Sequence, residues 1–212
     1  MHNRPTIMYP LRFLLAVVLA AIIFSTAMIP ALPVSAETVS IKGTYHQTEA
    51  RKMKAKINAF RTGSEAWYYA EGSDQKISVP GLGKLSYDYK LEKIAMKRAA
   101  ELYVSFSHTR PNGSDCFSLY PDGYTSMGEN IAMGTSSIMS MEQTLDLWKE
   151  TDEPYEGQGH RRNMLSPNFT SVGIACFEVN GERYWVQEFG SPNSGLAKTK
   201  AVDSRKTVKV KK

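Results

Sequence analysis

The run TSVGIACFEVNGERYWVQEFG, residues 170–190, restricts the fold of this chain more than any other stretch. Asn180-Gly181 stands between two β-rich segments, the strongest short-range signal for a two-residue β-hairpin. Side chains alternate across a strand, so Val172, Ile174 and Cys176 share one face of the first strand. Trp185, Gln187 and Phe189 share a face of the second, with Tyr184 and Val186 opposite. Both faces are substantially apolar, and a sheet of that kind must be covered on both sides.

The covering layers come from helical segments earlier in the chain. Asp88 is placed to cap a helix from Tyr89 to about Ser105, with Leu91, Ile94, Ala95, Ala99 and Leu102 forming one apolar stripe. Charged Glu92, Lys93, Lys97 and Arg98 are assigned to the rest of the wheel. A first helical stretch runs from Glu49 to Ala70, flawed by Gly63, and a third from Ser140 to Glu150 with Met141, Leu145 and Trp148 inward. Helices first and a hairpin last predict an α+β fold, a three-layer α-β-α sandwich around a largely antiparallel sheet. Residues 37–48 read as a polar lead-in, residues 49–191 as the folded domain, and residues 192–212 as a basic tail. From Ala197 onward the tail holds seven Lys or Arg against Asp203 alone. With only valines among its larger apolar residues, it is expected to be disordered.

Residues 1–36 have a basic start, an apolar run from Phe13 to Ile29 and the small-residue end Val34-Ser35-Ala36. This describes a secretory signal peptide cut after Ala36, and hence a secreted, extracellular protein with no membrane span after cleavage. The alternative is a retained anchor. Cutting 36 residues from 212 leaves 176, the size of one domain. The two cysteines, Cys116 and Cys176, are expected to form a disulfide in an oxidising compartment, with two buried thiols as the alternative. The basic residues cluster terminally without aromatic partners, which argues against nucleic acid. An anionic cell-wall polymer is a fitting partner for such a tail.

Four histidines occur in the chain, at positions 2, 46, 108 and 160. His108 and His160 lie in Gly- and Pro-rich stretches beside helices, where functional groups concentrate. Between them Glu129 stands beside Ile131 and Ala132, and an acid set among apolar neighbours needs a partner. The segments SHTRPNGSDCF, MGENIAMG, LDLWKE, GHRRNML with NFTSVGIAC, and YWVQEFG, in that order, resemble the CAP superfamily. This group includes cysteine-rich secretory proteins, insect antigen 5 and plant pathogenesis-related proteins, whose shared unit is also called the SCP domain. The resemblance runs from about Glu49 to Gly190, and its wording is nearest to the bacterial branch.

The resemblance implies an α-β-α sandwich with a large central cleft lined by two histidines and two acids. His108 matches the first histidine, Glu129 the acid of the GEN segment and His160 the histidine of the GH segment. The second acid has no direct match, because Thr151 stands at that position; Glu150 and Glu153 flank it. Two imidazoles with carboxylates can bind a divalent ion such as zinc, with His108 and His160 as ligands. They can also act as general acid and base, or brace a cleft by hydrogen bonds. Members of the family are associated with metal binding, with lipid or sterol binding and with contested protease activity. No G-x-S-x-G and no H-E-x-x-H is present. The sequence therefore favours a non-enzymatic domain whose cleft binds a divalent metal or a small, lipid-like ligand. An extracellular metal-assisted or acid–base hydrolase and a wall or surface interaction module are the alternatives.

Overall fold

The hairpin lies at the heart of a sheet. In a computed structural model, which describes residues 37–212, the first strand of the hairpin is β6 (Ser171–Val179) and the second is β7 (Glu182–Ser191). Asn180 and Gly181 take positive φ angles of 53° and 79°, the pair of left-handed residues a tight hairpin turn demands. Around this hairpin stand β1 (Thr38–Tyr45), β4 (Ser86–Tyr87), β5 (Ser126–Thr135) and β8 (Ser204–Lys211). The strand order is β5-β7-β6-β1-β8, antiparallel throughout, with short β4 parallel to the start of β6. A separate two-stranded hairpin joins β2 (Trp67–Tyr69) to β3 (Lys76–Ser78). The signal-peptide reading of residues 1–36 lies outside the described residues. Among those described, no helix is long and apolar enough to cross a membrane.

The two apolar faces are covered as the hairpin requires. On one side Val172, Ile174, Cys176, Trp185 and Phe189 pack against α1 (Gln47–Thr62), α3 (Met141–Lys149) and α4 (Gly159–Leu165). On the other, Ala175, Phe177, Tyr184 and Val186 pack against α2 (Tyr89–Val104). Helix α2 comes so close to β6 that a Cβ on Gly173 would collide with the backbone of Leu91 and Glu92. Asp88 caps α2 by accepting from the N–H groups of Lys90 and Leu91. Ser140 opens α3 with a full capping box, and Glu150 closes it in the left-handed conformation.

Several expectations are corrected. The first helix ends at Thr62, where Gly63 is its C-cap rather than an internal flaw, and Trp67 belongs to β2. Residues 37–48 are no lead-in: they supply β1, whose Ile41 and Tyr45 are core residues. The stretch 192–212 is not disordered either. Its final third is β8, paired with β1 over eight residues. Net charge concealed the alternation in RKTVKVK, which turns Val208 and Val210 inward and Arg205, Lys209 and Lys211 outward. The connection to β8 is anchored by Asp88, which accepts from Ser194, and by Arg51, which donates to Thr199. Asp203 accepts from the Thr48 backbone N–H.

The expected disulfide is also absent, since Cys116 and Cys176 are both free and buried. Cys176 points into the layer of α1 and α3, whereas Cys116 lies beside Glu129, on the α2 face of the sheet. The sheet itself keeps the two sulfurs apart.

Because β8 buries Val210 at 2% exposure, deleting residues 204–212 should remove at least one buried valine, about 1.5–3 kcal/mol. The thermal midpoint is expected to fall by roughly 3–12 °C, measured by calorimetry. An unchanged midpoint would mean that this strand contributes nothing.

Candidate functional site

The site is built from one buried cation outward. Arg98 follows Leu91 by seven residues, so it falls within the apolar stripe of α2, and it is fully buried. Its guanidinium donates to Glu129 on β5 at 2.7 and 3.2 Å, to Glu101 at 3.0 Å, and to the backbone carbonyl of Ser107 at 2.6 Å. Reading Arg98 and Glu92 as solvent-facing is thereby corrected, since Glu92 is buried against Arg51 and Tyr87. Through the Ser107 carbonyl, Arg98 holds the loop that carries the next residue, His108.

His108 Nδ1 lies 2.8 Å from Glu129 Oε1. Burial pushes the Glu129 carboxyl up, but hydrogen bonds from His108 and Arg98 outweigh this and hold it below its ordinary range. An ionised carboxylate only accepts, so His108 Nδ1 carries a proton and donates it. Behind Glu129 and directly opposite it in the β5–β7 register is Glu188. Burial, followed by the charge of Glu129, drives the Glu188 carboxyl well above its usual range, so it stays protonated. Its Oε2 lies 2.9 Å from the Tyr120 hydroxyl, while its Oε1 has no partner among the described residues.

His160 is placed by a second construction of the same kind. Its Nδ1 is hydrogen-bonded to Glu150 Oε1, and Glu150 Oε2 accepts from the Arg161 backbone N–H at 3.1 Å. Of the two flanking acids, Glu150 pairs with the histidine, whereas Glu153 is exposed. The left-handed backbone of Glu150 at the end of α3 turns it toward α4. Asn130 on β5 donates to the His160 backbone carbonyl and to Gln187, and Asn163 donates to Asn130. Arg161 follows His160 in α4. It is buried, and it donates to the carbonyls of Trp67, Lys149 and Glu65. Arg162 instead lies over the Tyr155 ring and lines the cleft.

All four site residues expected from the sequence, His108, Glu129, Glu150 and His160, border one polar cavity of about 450 Å³. Asn130, Glu156, Arg162 and Asn163 complete much of its wall. The imidazoles are the accessible groups, with side-chain exposures of 59% for His108 and 34% for His160. Both rings are held at Nδ1, and no hydrogen bond engages either Nε2 among the described residues. Cys116 also brings its sulfur within 4.8 Å of ligand atoms of His108 and Glu129. That trio suits a metal poorly. Burial and then the charge of Glu129 push the Cys116 thiol up to about 12, and Arg98 already engages both Glu129 oxygens. The sequence reading missed Arg98, Asn130, Arg161 and Glu188. For Arg98 a signal existed, its place seven residues after Leu91.

Comparison with known proteins agrees with this architecture. The profile of the cysteine-rich secretory protein family, CAP, matches residues 54–189, so the chain belongs to that family. A Bacillus subtilis (strain 168) relative, described as uncharacterized protein YkwD, is 30% identical over 114 residues, covering 51% of this chain and 40% of the relative. The match thus spans two fifths of that relative's length. Among solved structures, an outer surface protein from Borrelia burgdorferi superimposes with a TM-score of 0.51 at 15% identity. That alignment covers 74% of this chain and 98% of the other. NaASP2, solved with Zn2+, gives a TM-score of 0.50 at 23% identity, over 66% of this chain and 78% of its own.

The coupled acids make opposite contributions to stability. With its folded pKa depressed, Glu129 stabilises above its ordinary range near about 4.3, and that contribution is lost as pH falls through the folded value. Glu188, with its folded pKa raised, contributes fully below about pH 4.3 and loses the contribution as pH rises toward its folded value. Glu188→Gln should therefore flatten the decline in stability above about pH 4.3 and leave the protein at least as stable at pH 7. Glu129→Gln leaves the buried guanidinium of Arg98 without its main counter-charge and should cost about 3–5 kcal/mol at pH 7. Urea unfolding of both variants between pH 4 and 8 measures each effect.

Proposed function

We propose that the cleft binds a divalent metal ion, zinc being the best fit, with His108 and His160 as its two protein ligands through Nε2. The observation that carries this reading is the paired construction: each imidazole is held at Nδ1 by a carboxylate while its ring borders the shared cavity. A histidine held in this way has its tautomer and orientation set for metal ligation, and the carboxylate behind it makes Nε2 more basic. Zinc held by two imidazoles leaves positions for water or for a small ligand. The description of NaASP2 with Zn2+ supports the choice of ion. The family and the sequence of residues 1–36 support an extracellular site of action.

A neighbouring cavity of about 430 Å³, lined by Tyr68, Leu82, Tyr155 and Leu165 among others, shares Arg162 with the polar cleft. It offers the apolar part of a lipid-like ligand a place beside the polar site. Acid–base or metal-assisted hydrolysis is the second reading. It is favoured by the His160–Glu150 pair, a base oriented by a carboxylate.

Calorimetric titration of zinc into the full chain should show one site. His108→Ala and His160→Ala should each weaken it by more than tenfold, and Glu150→Gln, which acts through His160, by about 10–100-fold. Zinc affinity indifferent to His160→Ala would refute the shared site. Turnover of peptide, ester or glycan substrates that is lost with the histidines would move the conclusion to the hydrolase.

A further inference from the structure

The part of the sheet that no helix covers, the side of β1 and β8 opposite α2, carries the second inference. Val208 and Val210 on β8, with Ile41 and Tyr45 on β1, turn toward α2. The alternate residues of both strands therefore point to the opposite side. There Lys42, Arg205, Thr207, Lys209 and Lys211 are all exposed. The register is regular. Ser40 faces Lys209 and Lys42 faces Thr207, while at the two ends Thr38 faces Lys211 and Thr44 faces Arg205. Every cross-strand pair on this face thus joins one cation to one hydroxyl. The face has no apolar, aromatic or acidic side chain, and among the described residues none of its four cations forms a salt bridge.

We infer that this β1–β8 face is a docking surface for a linear polyanion, a polymer of phosphodiester-linked polyols of the cell-wall type. Alternate residues on a strand lie about 6.5–7 Å apart, so Arg205 to Lys211 spans roughly 20 Å along one line. A row of that length suits a chain of repeating phosphates. Each cation has a hydroxyl about one strand spacing away, and both groups can donate to phosphate oxygens. A membrane is a poorer fit, because nothing on the face can enter the acyl region. A nucleic acid is a poorer fit too, because no ring is present to stack on a base. Lysine on an edge strand also discourages strand-to-strand aggregation. That role does not account for Lys42, which sits on the inner strand β1, nor for the single sign of charge. The surface is independent of the histidine cleft.

The test is binding of the full chain to fluorescently labelled poly(glycerol phosphate) at about 50 mM NaCl, followed by anisotropy. The slope of log K against log salt should be roughly −3 for four cations, and about half that for Lys209→Thr/Lys211→Thr. Lys209→Glu/Lys211→Glu and Lys42→Glu should each bind at least tenfold more weakly with an unchanged thermal midpoint. The glutamate pair keeps the edge charged, so a purely protective role predicts no loss of solubility and no specific loss of binding. Lys209→Arg/Lys211→Arg should retain affinity, and Lys93→Glu/Lys97→Glu on α2 should bind within twofold of the parent chain. The inference is overturned by absence of binding, or by equal loss in the α2 variant. It is also overturned if phosphatidylglycerol vesicles or oligodeoxythymidine bind as tightly as the polymer.

Discussion

The fully buried contact between Arg98 and Glu129 is the interaction on which the site depends. It joins the helix on one side of the sheet to the strand at its edge. The same guanidinium takes the carbonyl of Ser107, so the loop bearing His108 is anchored from beneath. A charge this deep is tolerable because all three guanidinium nitrogens find acceptors and Glu101 adds a second carboxylate. Glu188, the third acid of the neighbourhood, avoids adding a like charge by remaining protonated. The cluster thus keeps one ionised carboxylate, Glu129, in contact with one exposed imidazole.

On the other wall the same result is reached with different parts. Arg161 gathers three carbonyls from β2, its approach and the end of α3, and so fixes α4 against both. Arg61 does similar work, bonding the carbonyls of Met164 and Ser166 at the far end of α4. Gln158 bridges Glu150 and Tyr69 at the near end. Buried polar side chains therefore hold the loops and short helices that no strand pairing could hold. The imidazoles, one on each wall, are the groups left facing solvent. Rigid support behind two accessible rings is the arrangement a ligand site needs.

Much of this could be read from the chain before any coordinates. The hairpin faces follow from period-two alternation and a turn with only one good solution, the start of α2 follows from Asp88 as its cap, and α3 follows from the spacing of Met141, Leu145 and Trp148. His108, Glu129 and His160 emerged from the scarcity of histidine and from the family resemblance. Strands β1 and β8 did not, because each is half polar on an uncovered face and their pairing links residues far apart in the chain, Thr38 with Lys211 and Tyr45 with Ser204. Strand β5 was concealed by its glycines. Arg98 and Arg161 look like ordinary surface cations, since a charge in a local pattern does not reveal the acceptors that distant segments will bring. Cys116 and Cys176 show the reverse error: an even count suggested a bond, and only the sheet between them rules it out.

Both imidazoles are held at Nδ1 and border one cleft, an arrangement that leaves Nε2 of each ring for a ligand. Long-range proton–nitrogen correlation spectra of the chain, recorded as zinc is added, test it most directly. Before addition His108 and His160 should both show a protonated Nδ1 and a Nε2 free of hydrogen in the neutral ring. With zinc, the Nε2 signals of both should move together and saturate at one equivalent. A proton on Nε2 in the neutral ring, or a shift confined to one histidine, would contradict the account.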